Sequence, residues 1–517
     1  MELELISLPP ELIMSILLCL GVQDLLRCRQ VCTRFKALID KDVCAEYKIE
    51  LAVAGMADGP PSNLTPAERL SILRARQDAW DKLAWTAKDD VQMHQGGVWE
   101  LYGNVLAQAQ GERTLHFKQI PSAIRGIQGT EWTIPDVGCK IRDFGMDPAQ
   151  DLLVVIEHFW DRLDLTVRIH LKSLSTGTPH PVAPRTGMLM YKPKPGGYSY
   201  AIQTSEDYLG ILMSSQGEDT SELLIWEWKT GTLHLHLTGP ELPSFAFLTS
   251  RYLLLAVQPA LEIDEDNVVQ GPNTPLLAVV DLESTSTSTP VPFSEVDYVC
   301  AFHYPPLGDA FAVVAMSVRS DPAPYWRPSP ALRVPFSVAH EDRLFVVTLW
   351  VMSVNAPFGL LSLVPASTLL TALTALAPGE TRRHLAWREW GPRGSRLMRT
   401  PVTHSPVWVC YVYGMTFALW RPEPGGRVVY TFDFNQLAKR RARGEAEDVQ
   451  GVMAIPTVFK PARVFTEEVT TALPYRARRL VSLPEGEGLF EAVMVAEDAL
   501  VLVSGQSHIR RYSILSF

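Results

Sequence analysis

Several groups in this chain have residue types and spacings that chemistry could use, and each has a plainer reading beside it. His234 and His236 alternate along an apolar run, so on a strand both would face one side, as two metal ligands would. Two ligands are too few for a metal centre, and solvated or hydrogen-bonded histidine is the preferred reading. The run Glu262-Ile-Asp264-Glu265-Asp266-Asn267 has the carboxylate density of a calcium loop but lacks its spaced Gly and distal Glu. An exposed hairpin loop is preferred there, as it is for Ser284–Thr289. Gly505-Gln-Ser507-His508-Ile509 lacks the second Gly of a nucleophile elbow and sits in a strand-rich tail. Cys28 and Cys32 lie four apart, with no His or second Cys pair at zinc spacing, so they read as buried thiols. No P-loop, His-Glu-x-x-His or dinucleotide fingerprint occurs. The reading is a non-enzyme with no catalytic, cofactor-binding or metal residues; an enzyme of the β class with an unrecognised site is the weaker alternative.

Binding chemistry is better represented. Trp387, Trp390, Trp408 and Trp420 cluster late in the chain beside Arg388, Arg393 and Arg396. Core packing accounts for most of them, and any exposed at a surface would anchor a peptide. A formal net charge of −10 argues against general nucleic-acid binding, which needs a basic footprint. The one basic run, Lys439-Arg440-Arg441-Ala442-Arg443, could be a nuclear-import signal or a basic patch; a solvated loop is preferred.

The elements that must position such groups begin with helices. Pro9 and Glu11 suit a helix start, and Leu12, Ile13, Ile16, Leu17 and Leu20 recur at the spacing of one buried face until Gly21. A second helix is expected from about Asp24 through Val31, and a third from Thr33 as its cap, carrying Phe35, Leu38 and Ile39 inward. Three such short helices leave apolar surface for a partner. Residues 41–54 continue helically, and Thr65-Pro66-Ala67-Glu68 is a capping box opening a helix that packs this unit onto the next domain.

Leu8-Pro9-x-Glu11-Leu12, Ile16-Leu17, Leu20, Asp24-Leu25 and Val31-Cys32-x-x-Phe35 resemble the F-box motif. Where that family often has a basic residue and then Trp, this chain has Thr33 and Phe35. The resemblance implies that Leu8, Pro9, Leu12, Ile16, Leu17, Leu20, Leu25, Val31 and Cys32 contact a Skp-type adaptor, which links F-box proteins to a cullin-RING ubiquitin ligase. An amphipathic helix cluster capping the next domain is the alternative.

From about Gln95 the pattern changes to short apolar runs with turn signals: Leu152–Ile156, Val167–Leu171, Leu223–Trp228, Tyr252–Val257, Leu276–Leu282, Ala310–Ala315, Leu344–Trp350, Trp408–Tyr413, Val428–Phe432, Ala492–Val495 and Leu500–Val503. Lys172–Gly177, Trp226–Gly231 and Val280–Thr285 align as strand end plus turn, 54 residues apart, with Trp420–Gly425 a looser fourth copy. The second copy resembles the ending of a WD-repeat blade, with Glu227 in place of Asp. Stacked four-stranded blades would bury both faces of each sheet, and Ile509–Ile514 could supply the strand that closes the ring. A sandwich or a pair of β domains is the rival.

The uncharged stretch Leu344 to Ala377 is long enough for a membrane span, but its Pro and Gly residues favour a buried strand, a turn and a helix from about Ser367. Seven cysteines without a repeated framework, and no signal peptide, point to a reducing compartment, cytoplasmic or nuclear; the sequon Asn63-Leu64-Thr65 is then irrelevant. The expected fold class is α+β multidomain: an F-box over 1–45, a helical linker over 46–94, and over 95–517 a mostly β domain, a propeller of six to eight blades. The expected role is the substrate-recognition subunit of a Skp–cullin–F-box ubiquitin ligase, with an unknown protein target, no nucleic acid and no membrane. An adaptor-bound structural protein without a ubiquitination substrate is the alternative.

Overall fold

The computed structural model describes residues 8–94, 97–217, 220–258, 262–263, 269–270, 274–353, 357–377, 379–400, 410–424, 426–438, 451–460, 464–480, 490–506 and 509–517. Helices α1 (Pro10–Cys19), α2 (Val22–Val31), α3 (Thr33–Lys41) and α4 (Val43–Ala54) follow one another through joints of one or two residues. Ile13, Met14, Leu17, Leu25, Phe35, Ile39 and Ala45 form their common core. The cap of α3 is Cys32, whose Sγ accepts the Phe35 N–H at 3.4 Å; Thr33 is the first helical residue instead. Helix α4 ends at Gly55, whose φ of +68° suits a residue without a side chain. Helix α5 (Pro66–Lys82) opens with the expected capping box: Thr65 N donates to Glu68 Oε2 at 2.7 Å, and Glu68 N donates to Thr65 Oγ1 at 3.3 Å.

Seven sheets of four or five strands form a seven-bladed β-propeller. Blades 1 to 7 begin with the inner strands Trp99–Tyr102, Asp143–Asp147, Tyr198–Ser205, Ser244–Phe247, Phe311–Arg319, Val412–Tyr413 and Ala492–Val495. The packing between them is close: a Cβ on Gly145 of blade 2 would lie 2.7 Å from Ile202 Cγ2 of blade 3. The 54-residue repeat marks the end of the third strand in blades 2, 3 and 4. The looser copy falls elsewhere, at the tip between the second and third strands of blade 6.

The ring closes through Ala87–His94, which pairs with Ile509–Ser516 along its whole length, Ala87 opposite Ser516 and His94 opposite Ile509. The carboxy-terminal strand was expected to close the ring, whereas its partner lies in the stretch read as linker, so strand structure begins before residue 95. Three connections also travel backwards. Thr287–Pro292 adds in parallel to the edge of blade 3, and Arg383–Leu385 adds in parallel to blade 4. The hairpin Thr457–Phe459/Val469–Thr471 rests on blade 5, where Leu397 N donates to Thr471 Oγ1 at 3.0 Å. Each joins the third and fourth strands of one blade and covers the exposed edge of the blade before it. The stretch read as the exposed loop Ser284–Thr289 is the start of the first of these.

Within Leu344 to Ala377 the chain forms the strand Leu344–Ser353, a second strand Phe358–Pro365 in place of the expected turn, and the helix Ala366–Thr374. Among the described residues no helix is long and apolar enough to cross a membrane.

Candidate protein-binding surfaces

Two regions stand out, the outer surface of helices α1–α3 and the central channel of the ring. On the first, Leu12, Ile16 and Val31 are 52%, 43% and 68% exposed, with Pro9 also in the open. Pro9, Leu12 and Ile16 succeed one another at helical spacing along one side of α1. Leu8, Leu20 and Cys32 are half-buried, and the Leu8 carbonyl accepts Arg34 Nη2 at 3.0 Å. Leu17 and Leu25, at 1% and 0%, are interior: they shape the helices from beneath, which removes them from any contact surface of this conformation. Leu26 is a further exposed neighbour, at a position the motif does not mark.

This helical unit is clamped to one face of the ring. Met56–Asp58 pairs with Phe336–Val338, part of a long insertion after the inner strand of blade 5. The buried Arg69 donates to Asp58 Oδ1 at 2.6 Å, Pro335 O at 3.0 Å, Pro60 O at 2.6 Å and Ser62 Oγ at 3.0 Å. Trp80 stacks on Phe517 with ring centroids 4.4 Å apart. Arg76 donates to Asp498 Oδ1 at 2.7 Å and Glu497 O at 2.5 Å, in the turn after the inner strand of blade 7. Arg125 of blade 1, itself buried, pairs with Glu497 at 3.0 Å and with Asp498. Burial raises the Asp498 carboxyl, but the guanidiniums of Arg125 and Arg76 outweigh it and hold that carboxyl well below the usual range. Glu497 Oε1 also accepts the Val338 N–H at 2.9 Å, so α5, blade 1, blade 7 and the blade 5 insertion meet in one knot.

The same insertion closes the clamped end of the channel. Arg343 donates to the carbonyls of Leu248 at 2.5 Å, Phe247 at 3.3 Å and Pro322 at 3.4 Å, and Ala323 N donates to Tyr102 Oη at 3.0 Å. Above this floor lies a cavity of about 660 Å³, with Glu100, Asp143 and Asp321 on its walls. Burial, reinforced by Asp321 and Asp143, pushes the Glu100 carboxyl up to about 8, and burial raises Asp143 and Asp321 to about 6. On the face away from the helices, the hairpin joining Leu152–Asp161 to Asp164–Ser173 exposes Phe159, Trp160 and Leu163.

The other candidates lie elsewhere. Trp387 and Trp390 are buried against Tyr304 and Phe302, on the outer side of blades 4 and 5, and Trp420 donates to Glu491 O at 2.9 Å. Arg388 and Arg393 are exposed on the same outer helix, and Arg396 is buried, donating to Ile455 O at 2.6 Å. His234 bonds the Leu282 carbonyl at 2.7 Å, and His236 pairs with Glu222 at 3.0 Å. Glu262–Ile263 pairs with Val269–Gln270 as a hairpin. Residues 264–268, Trp408, the basic run at 439–443, and Ser507 with His508 lie outside the described residues.

Comparison with known proteins bears on the helical region. The model of the family described as F-box-like matches residues 5–44. A search of curated proteins found no match. Among solved structures, the chain is similar to the WD40 domain of coronin from Toxoplasma gondii, at 10% identity and a TM-score of 0.34 over 83% of this chain and 87% of that one. It is similar also to the WD40 domain of SCAP from fission yeast, at 9% identity and a TM-score of 0.34 over 82% and 84%. The blade count rests on the strand pairings themselves. An F-box-like domain implies binding to a Skp-type adaptor, and this chain carries such a domain at its N-terminus, clamped to a seven-bladed β-propeller.

Proposed function

We propose that this protein is a non-catalytic substrate receptor of a Skp–cullin–F-box ubiquitin ligase, working in the cytoplasm or nucleus. Pro9, Leu12, Ile16 and Val31, with Leu8, Leu20 and Cys32 at the margin, form the adaptor contact; the propeller face away from the helices holds a target protein. The observation that carries this reading is the exposed apolar row on α1 within the F-box-like domain. The mechanism is proximity: the clamp between α5 and the ring holds the target at a fixed place relative to the ligase and raises its effective concentration for a transfer done elsewhere.

The test is co-purification of a Skp-type adaptor with the full chain, beside the double variant Leu12→Asp/Ile16→Asp and the core variant Leu17→Ala. The intact chain captures the adaptor. The double variant loses capture at least about tenfold while keeping its stability within about 0.5 kcal/mol, because both side chains are exposed. Leu17→Ala costs about 2–5 kcal/mol, because its side chain is interior. No capture by the intact chain would sink the ligase reading.

A further inference from the structure

The central cavity contains more ionisable groups than the fold needs. Glu100, Asp143 and Asp321 come from the inner strands of blades 1 and 2 and from the end of the inner strand of blade 5, and all three line one space. None accepts a hydrogen bond from a side chain among the described residues: Asp143 takes the N–H of its neighbour Phe144 at 2.9 Å, and Glu100 takes that of Leu101. The hydroxyl of Ser320, on the same wall, is buried without a partner among the described residues. Carboxylates that only fill a wall are normally paired, because burying them alone is costly.

The nearby cations do not complete the set. Arg343 is turned into the floor and committed to the carbonyls of Leu248, Phe247 and Pro322. Arg142 donates to the Tyr198 carbonyl at 2.8 Å, and Arg510 faces Glu491 at 4.0 Å. Arg319 is left, the one guanidinium whose charge lowers the carboxyls of both Glu100 and Asp321. Among the described residues, none of the three carboxyls is hydrogen-bonded or ion-paired to a cationic side chain: Arg319 acts on Glu100 and Asp321, Arg343 on Asp321 and Arg142 on Asp143 only across space, where the low dielectric keeps charge interactions strong.

The geometry also selects the kind of cation. Among the described residues no group of three His, Cys, Asp or Glu side chains converges closely enough to hold a metal ion. The carboxylates are spread around a space of about 660 Å³, far more than a bare ion requires. Trp99, Tyr102 and Tyr200 line the same walls, and aromatic faces suit an aliphatic stem ending in a cation. The floor closes the end clamped to the helices, so entry is from the opposite face.

We propose that the channel binds the basic side chains of a protein tail, with Glu100, Asp143 and Asp321 receiving Lys ammonium or Arg guanidinium groups. This rests on the receptor reading for its choice of a protein over a free cation, and it gives that reading a substrate class: unstructured segments rich in Arg or Lys. The upward displacement of the carboxyls fits the assignment, because an entering cation restores the charged form that burial disfavours.

The experiment measures binding of the full chain to a fluorescein-labelled Gly/Ser peptide ending in three arginines. The controls are the same peptide with citrulline, and free spermidine as competitor. The expected result is affinity for the arginine peptide alone, reduced at least about tenfold, or 1.4 kcal/mol, in Glu100→Gln/Asp321→Asn. Affinity for the intact chain rises from pH 6 to pH 9 as Glu100 ionises, and this rise is lost in Glu100→Gln. Adaptor co-purification and the thermal midpoint of the double variant, both unchanged, report that dock and fold are intact. Absence of arginine-peptide binding, or binding indifferent to the double variant, overturns the proposal and leaves the adaptor reading standing. Binding of spermidine with none of the peptide overturns it too, by showing a site for small polyamines.

Discussion

The seam between helices and ring is tied by charged residues placed far apart in the chain. Asp498 meets Arg125 across 373 residues and Arg76 across 422, all inside the contact between helices and ring. A carboxyl held below its unfolded value stabilises the fold above about pH 4 and loses that contribution as the pH falls toward about 2. Asp498→Asn should therefore lower stability at pH 7 by on the order of 2 kcal/mol, with the difference shrinking by pH 3; urea unfolding at both values checks this. An equal loss at both values would assign Asp498 a packing role. Little of this was legible in the sequence, because Arg125 and Asp498 sit in unremarkable local contexts and only the closed ring brings them together. At the dock, residue types were legible but orientation was not. Leu12 and Leu17 match one motif equally well, yet one faces outward and the other inward.

Among the elements, α5 and the short strand Met56–Asp58 fix the F-box-like domain to the ring. Arg69 is the key side chain, since it satisfies the carbonyls of Pro60 and Pro335 and the Asp58 carboxylate from a buried position. Arg69→Ala removes the Pro60 carbonyl's donor and leaves Asp58 and Pro335 still bonded by the Tyr47 hydroxyl, at 2.8 and 3.2 Å, at a cost of about 3 kcal/mol local to the seam. The expected outcome is faster proteolytic cleavage between residues 55 and 65 with the thermal midpoint of the ring little changed; uncut seams in the variant would move the coupling onto Arg76 and Trp80. The capping box at Thr65 was legible because its signal is local. The strand Phe358–Pro365 was not, since Gly359 and Pro365 read as breaks; Pro365 ends the strand, and Gly359 lies where a Cβ would fall 2.6 Å from Thr400 Oγ1. The Ala87–His94 strand was hidden for another reason: its sequence AKDDVQMH is polar, as an outermost strand allows, and its partner lies at the other end of the chain.

For the whole molecule, the pairing of the first and last strands closes the ring. Removing Ile509–Phe517 strips the Ala87–His94 strand of its partner and takes Phe517 from Trp80. The shortened chain should unfold in a broad, multi-step transition with a larger hydrodynamic radius, seen by calorimetry and size-exclusion chromatography; a single sharp transition would mean that six blades suffice. The strand that completes the ring is also the segment immediately after α5, and this imposes an order of events during synthesis. The F-box-like helices leave the ribosome before the ring, and the closing partner emerges some 400 residues after them, a delay of about 20–80 s at ordinary elongation rates. Through that interval the nascent chain carries its helical domain beside an unclosed ring and a strand without its partner, so the F-box-like domain is complete long before the propeller is.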